Sequence, residues 1–179
     1  MTVTDVNVVK SAIFERPDDA NKGTLGSLLC VCGSYGMAGA AVMSAKGALR
    51  TGIGLAKCAL PRSIYPIVAQ TILESVYYPL SENADGRISK VNVPFLVSES
   101  CKSSATLVGC GLGVCDDTLK IVFSLIENST TPLVLDADAL NCVAKQPEIL
   151  LRKKAPIIIT PHPGEMSRLT GLATPLVKD

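Results

Sequence analysis

The apolar positions of this chain fall into short runs that end abruptly in glycine, acid or hydroxyl residues, and these runs alternate with stretches of helical spacing. Leu28-Leu-Cys-Val-Cys32 runs into Gly33-Ser-Tyr-Gly-Met-Ala-Gly39, and Ala105-Thr-Leu-Val108 runs into Gly109-Cys-Gly-Leu-Gly113. Pro132-Leu-Val-Leu135 leads into Asp136-Ala-Asp-Ala-Leu-Asn141, and Ala155-Pro-Ile-Ile-Ile-Thr160 into Pro161-His-Pro-Gly-Glu165. Continuous apolar runs of this length read as strands buried on both faces, the kind found in parallel sheets. Leu55 to Leu60, ended by Pro61, adds another strand, and Glu74 to Tyr78 alternates weakly, as a short edge strand does.

Between the strands the spacing predicts helices over Val3–Phe14, Ala38–Thr51, Ser63–Ile72, Val91–Lys102, Asp116–Asn128 and Ala139–Leu150. The second of these is rich in small residues (Ala41, Ala45, Ala48), so it can lie close against a sheet. Lys22 to Gly26 reads as a turn and Ser81 to Lys90 as a polar surface loop. A last short helix over Glu165–Leu169 is capped by Gly171. Strand and helix alternate cleanly from Ala105 onward, which indicates βαβ units and right-handed crossovers. With no linker or internal repeat, residues 1–179 read as one α/β domain. The strand Pro156–Thr160 is apolar throughout and is followed by little chain to cover it, so the sequence reads as the front portion of a longer domain.

Open α/β sheets bind ligands outside the carboxyl ends of their strands, and four such ends here carry glycines, carboxylates or the chain's single histidine. His162 is held between two prolines, with Glu165 three residues on. The glycines of Gly33–Gly39 precede a helix and leave backbone N–H groups to face an anion. Plainer readings stand beside these. Glycine is common in strand-to-helix turns, Asp136 and Asp138 can cap the helix beginning near Ala139, and Glu165 can favour its own helix dipole. Of the two aspartates, Asp138 is expected to cap and Asp136 to face the cleft.

Composition narrows the classes. Hydrophobic residues make up 47% and charged residues 18%, which suits a sheet covered on both faces, yet no uncharged stretch approaches the ~20 residues of a membrane span. A formal charge of +1, no Trp and no basic cluster speak against nucleic acid as the partner. The N-terminus has no signal-peptide pattern, and seven scattered cysteines suit reduced thiols in a cytoplasmic protein. Cys30 and Cys32 are expected on opposite faces of their strand, a poor geometry for a shared metal. Tyr77 and Tyr78 read as packing residues.

Six segments together match a known family: Lys22–Gly26, Gly33–Ala41, Ala48–Gly54, Gly109–Gly113, Leu135–Asn141 and Thr160–Glu165. From about Asn21 to Gly171 the chain resembles the ADP/ATP-dependent NAD(P)H-hydrate dehydratases, repair enzymes of the ribokinase-like superfamily. The resemblance implies a three-layer α/β/α fold with a mostly parallel central sheet whose C-terminal portion is missing here. It implies phosphorylation of the 6-hydroxyl of hydrated NADH or NADPH (NADHX, NADPHX) by ADP or ATP with Mg2+, followed by loss of phosphate. Gly39, Ala40, Gly111, Gly113, Asn141 and His162 would then bind the dinucleotide. Asp136 and Glu165 would be catalytic, with Glu165 serving Mg2+ as well, and a homo-oligomer is expected. Two departures stand out: Asn21 replaces a usual histidine, and no Gly-Thr-Gly-Asp segment, the family's anion hole and catalytic base, occurs in the 179 residues. Two other readings remain, a sugar or vitamin kinase of the same superfamily and a dinucleotide-binding module without turnover.

Overall fold

The computed structural model describes residues 18–21 and 23–178. The helix expected over Val3–Phe14 and Lys22 of the first turn lie outside them. Six parallel strands form one sheet: β1 (Ser27–Val31), β2 (Leu55–Pro61), β3 (Val76–Leu80), β4 (Ala105–Val108), β5 (Leu133–Leu135) and β6 (Ile157–Ile159). Their spatial order is β3-β2-β1-β4-β5-β6. The order reverses between β1 and β4, which pair in parallel from Leu28 opposite Ala105 to Val31 opposite Val108. A crevice opens beyond the carboxyl ends of the strands at such a reversal.

The two faces of the sheet are covered by different helices. Leu29, Val31, Ala59, Val108, Leu133 and Leu135 point to one face. There they meet Leu96 of α3 (Val93–Cys101), Ile121, Val122 and Leu125 of α4 (Asp116–Asn128), and Ala139 and Leu140 of α5 (Asp138–Val143). Cys30, Cys32, Cys58 and Leu60 point to the other face. Their partners are Ala41 and Ala45 of α1 (Ala38–Arg50) and Val68 of α2 (Tyr65–Thr71). Small residues at Ala41 and Ala45 let α1 approach the sheet closely. In α4, Asp116 and Asp117 sit in the first turn, where the helix dipole favours negative charge. Each fully buried Leu, Ile or Val contributes about 1.5–3 kcal/mol.

Cys30 and Cys32 therefore share a face, contrary to expectation. Side chains repeat every second residue along a strand, so positions two apart point the same way.

Several boundaries also differ. The helix expected over Ala139–Leu150 stops at Val143, and a separate 3-10 segment spans Pro147–Arg152. Pro147 has no N–H to continue the helix and pushes Gln146 out of the helical region, to φ −153° and ψ 76°. The weak edge strand is a full strand, β3, that accommodates Pro79 because it lies at the edge. The loop after β3 is ordered by Asn83. Its side chain accepts from the backbone N–H groups of Asp85 and Arg87 and donates to Asp117 at 3.0 Å. The last helices are α6 (Pro163–Thr170) and α7 (Thr174–Lys178). No helix among the described residues is long and apolar enough to cross a membrane.

Two glycine substitutions test how the fold uses space. Gly109 has φ of +129°, and a Cβ there would lie 1.8 Å from the carbonyl oxygen of Asp136. Gly109→Ala should destabilise the chain by about 3 kcal/mol or more. Gly47, inside α1 with nothing within 4 Å, should behave oppositely, Gly47→Ala stabilising by about 1 kcal/mol. Urea denaturation of the two variants checks this, and equal midpoints would refute the packing at Gly109.

Candidate functional site

At the β1/β4 reversal the two glycine loops are stitched to each other. Gly33 donates its N–H to the carbonyl of Cys110 at 2.8 Å, and the Ser34 hydroxyl donates to the carbonyl of Gly111 at 2.8 Å. A Cβ on Gly111 would meet the Cβ of Ala40 at 2.6 Å, so the second loop lies directly against the first turn of α1. Gly39 differs from these contact glycines. It is exposed, its φ is ordinary, and an added Cβ would meet nothing within 4 Å. The fold does not demand a glycine there. The N-terminus of α1 also has no side-chain cap, because Met37 occupies the cap position.

Beyond β5, Asp136 is held from two sides. The Thr160 hydroxyl, at the end of β6, donates to its Oδ1 at 2.7 Å, and the Cys110 thiol donates to its Oδ2 at 3.2 Å. The next residue, Ala137, has φ 50° and ψ −112°, and the turn is closed by the N–H of Ala139 donating to the carbonyl of Asp136 at 3.0 Å. Such a conformation costs a non-glycine residue roughly 1–3 kcal/mol. It sends the two aspartates to different partners. Asp138 does not cap its helix as expected. Instead its Oδ2 accepts the N–H of Gly113 at 2.8 Å, and its Oδ1 accepts the amide of Asn141 at 3.3 Å. The other end of the Asn141 amide accepts from Arg168 of α6 at 2.8 Å.

Beyond β6, His162 is the N-cap of α6 and Pro163 its first residue. Nδ1 of His162 accepts from the N–H groups of Gly164 at 3.0 Å and Glu165 at 3.3 Å. An accepting Nδ1 places the ring proton on Nε2, 3.2 Å from Oε1 of Glu165. Oε2 of Glu165 accepts the N–H of His162 at 2.9 Å. The pair thus makes a capping box with imidazole in the place usually taken by Ser or Thr. Glu165 is buried, whereas the His162 side chain remains 61% exposed.

The thiols behind the site are shifted by one another. Cys110 is drawn below the ordinary thiol range by hydrogen bonds with Cys32 and Ser44, which outweigh its partial burial. Cys32 is pushed up by the same contact with Cys110 and by burial. All seven cysteines are free thiols.

The structure gathers Gly39, Ala40, Gly111 and Gly113 around the crevice, and it ties Gly113 through Asp138 to Asn141. Asp136 stands at the next strand end, and His162 with Glu165 at the one after. A separate cleft of about 490 Å³ lies beside Tyr35 and is lined by Ser63, Glu82, Asn83 and Asp85, with none of the expected site residues among its walls. Sequence reasoning missed Cys110 and Thr160 as partners of Asp136, and Arg168 as a partner of Asn141. Thr160 ends its strand and could have been found from that; Cys110 and Arg168 gave no signal. Among the described residues no group of three or more His, Cys, Asp or Glu could hold a metal ion. Asp136 accepts two hydrogen bonds and Glu165 one, and a carboxylate has about four acceptor positions, so each retains capacity.

A sequence profile of the NAD(P)H-hydrate dehydratase family matches residues 28–179. The chain is 38% identical over 156 residues to a bifunctional NAD(P)H-hydrate repair enzyme of Thermofilum pendens, covering 87% of this chain and 30% of that protein. It is 29% identical over 166 residues to the ADP-dependent (S)-NAD(P)H-hydrate dehydratase of Bacillus subtilis, covering 92% of this chain and 54% of that enzyme. It therefore spans about half the length of the single-function relative and less than a third of the bifunctional one. Its fold also matches the crystal structure of the ADP/ATP-dependent NAD(P)H-hydrate dehydratase from Bacillus subtilis co-crystallized with ATP/Mg2+. The TM-score is 0.74 and the identity 27%, over 96% of this chain and 57% of that one. With the profile matched over most of its length and the ribokinase-like fold in place, this chain belongs to the NAD(P)H-hydrate dehydratase family.

Proposed function

We propose that this chain carries the dinucleotide-binding side of an NAD(P)H-hydrate dehydratase, acting on hydrated NADH or NADPH with ADP or ATP and Mg2+. The observation that carries the reading is the open position at Gly39, in the uncapped first turn of α1 and next to Ala40, which packs against Gly111. A glycine that the fold does not require, at a helix N-terminus, suits close approach of a phosphate-bearing ligand. His162 fits a contact with the same dinucleotide, because its ring is fixed by the cap and yet faces outward.

In this reading Asp136 holds a fixed negative charge at the strand end, oriented by Thr160 and Cys110. Preorganised groups of this kind stabilise charge as it develops and cost little reorganisation. Asp136 and Glu165 are the residues that would serve Mg2+, which typically takes one or two carboxylates and fills its remaining positions from phosphates and water. When bound, the ion neutralises phosphate charge during transfer to the 6-hydroxyl. The ring nitrogen then expels the phosphate and restores the reduced cofactor.

A second reading of the same site is a binding module without turnover. Binding and turnover measured on the same preparation separate the two.

Gly39→Leu should weaken binding of hydrated NADH about ten-fold or more in calorimetric titration and leave the melting temperature unchanged or raised. Unaltered affinity would remove this loop from the site. At His162 the cap and the ligand contact can be parted. His162→Asn keeps a cap and should retain stability while losing affinity, whereas His162→Ala should lose both, with about 0.5–2 kcal/mol of stability. An Asn variant that binds like the parent would leave His162 as a cap and nothing more. The 179-residue chain itself should turn over hydrated NADH with ADP or ATP at least ~10²–10⁴-fold more slowly than the Bacillus subtilis enzyme, as expected when a base or anion hole is absent. Comparable rates would mean that another carboxylate of this chain, Asp117 or Asp138 first, acts as the base.

A further inference from the structure

We propose that Cys110 and Cys32 form a reversible thiol–disulfide pair, oxidised by hydroperoxides, at the edge of the candidate site. A strand that kept its alternation would send Cys110 to the face of Val108, away from Cys32. Gly109, with φ of +129°, breaks the alternation, and Cys110 instead packs into the cluster that holds Cys30, Cys32 and Cys58. The backbones are already in contact, since Gly33 donates to the carbonyl of Cys110 at 2.8 Å. The β1/β4 register ends with Val31 opposite Val108, so Cys32 lies one residue past the last pair on its strand and Cys110 two residues past it on the other. Neighbouring strands lie about 4.7–4.9 Å apart, and an offset of one residue adds roughly 3.3 Å along the strand, so the two Cα atoms fall roughly 6 Å apart, inside the roughly 4.4–6.8 Å that a disulfide bridges.

The two cysteines differ in access, as attacking and resolving thiols do. Cys110 is half-buried, whereas Cys32 is 1% exposed and lies behind it. The sulfur of Cys110 attacks one oxygen of the hydroperoxide and the O–O bond breaks, leaving a sulfenic acid and, for hydrogen peroxide, one water. The sulfur of Cys32 then displaces the hydroxyl from Cys110, the S–S bond forms, and the two thiol protons leave with the oxygens as water. Each sulfur gives up one electron and the peroxide gains two. The consequence reaches the strand end, because the oxidised Cys110 no longer carries the S–H that donates to Oδ2 of Asp136 at 3.2 Å. Formation of the pair does not depend on which ligand the crevice takes.

The test uses the reduced 179-residue chain, treated with equimolar hydrogen peroxide, trapped with N-ethylmaleimide during denaturation and mapped by peptide mass without reduction. The expected product is a linked peptide containing Cys32 and Cys110, with both residues missing from the alkylated set and both restored by dithiothreitol. In Cys32→Ser the sulfenic acid at Cys110 has no resolving thiol nearby, so dimedone should label Cys110 in that variant and far less in the parent. If Cys32→Ser does not fold, the map of the parent decides alone. Cys110 remaining fully alkylated after peroxide, or linked to Cys30, Cys58 or Cys115 in place of Cys32, overturns the proposal.

Discussion

The close approach of Gly109 to the carbonyl of Asp136 is the constraint on which the rest of this site depends. No side chain fits there, since a Cβ would lie 1.8 Å from that oxygen. With β4 and β5 brought that near, the turn after β5 starts against the backbone of β4, and Ala139 closes it by donating to the same carbonyl. The positive φ at Gly109 swings Cys110 toward α1 and sets Gly111 against Ala40. A larger residue at Gly109 would have to separate the two strand ends, and both loops would move with them.

From that contact follow two carboxylates with different tasks. Asp136 receives donors from Thr160 and Cys110, and Asp138 receives the N–H of Gly113 and the amide of Asn141. Both are half-buried, where a hydrogen bond to a charged group contributes about 1.5–3 kcal/mol and leaving one unmade costs more. The strained Ala137 between them is sustained by those bonds. Asp138 ties the second glycine loop to α5 and, through Asn141 and Arg168, to α6. Three strand ends, those of β4, β5 and β6, are linked in this way beside the switch point.

The cover over the sheet is uneven, and this shapes what surrounds the site. On one face α3, α4 and α5 span the width from β1 to β5, while on the other α1 and α2 cover only the side of β1 and β2. Ile157 packs into the fully covered side, but Ile158 is 59% exposed and Ile159 36%. A strand of three isoleucines satisfies its apolar character on one face only. The His162–Glu165 capping box follows directly after this strand, so the order of α6 rests on local hydrogen bonds more than on burial of β6.

Much of this was legible in the sequence because its causes are local. Apolar runs ending in glycine or acid mark buried parallel strands, and the proline-flanked His162 with Glu165 three residues on marks a helix start; both patterns depend on neighbours within a few residues. The gathering of Gly39, Gly111, Asp136 and His162 on one edge followed from strand direction alone. What the sequence could not decide were pairings across the sheet. That Asp138 serves Gly113 and leaves its own helix uncapped, that Cys110 turns to meet Cys32 and Asp136, and that Arg168 reaches Asn141 depend on the order β1-β4-β5-β6 and on one positive φ at Gly109. Their partners lie 25 to 27 residues apart, or farther, and no periodicity carries over such distances. Only the folded sheet, with β4 and β5 at backbone contact, brings those groups within hydrogen-bonding range.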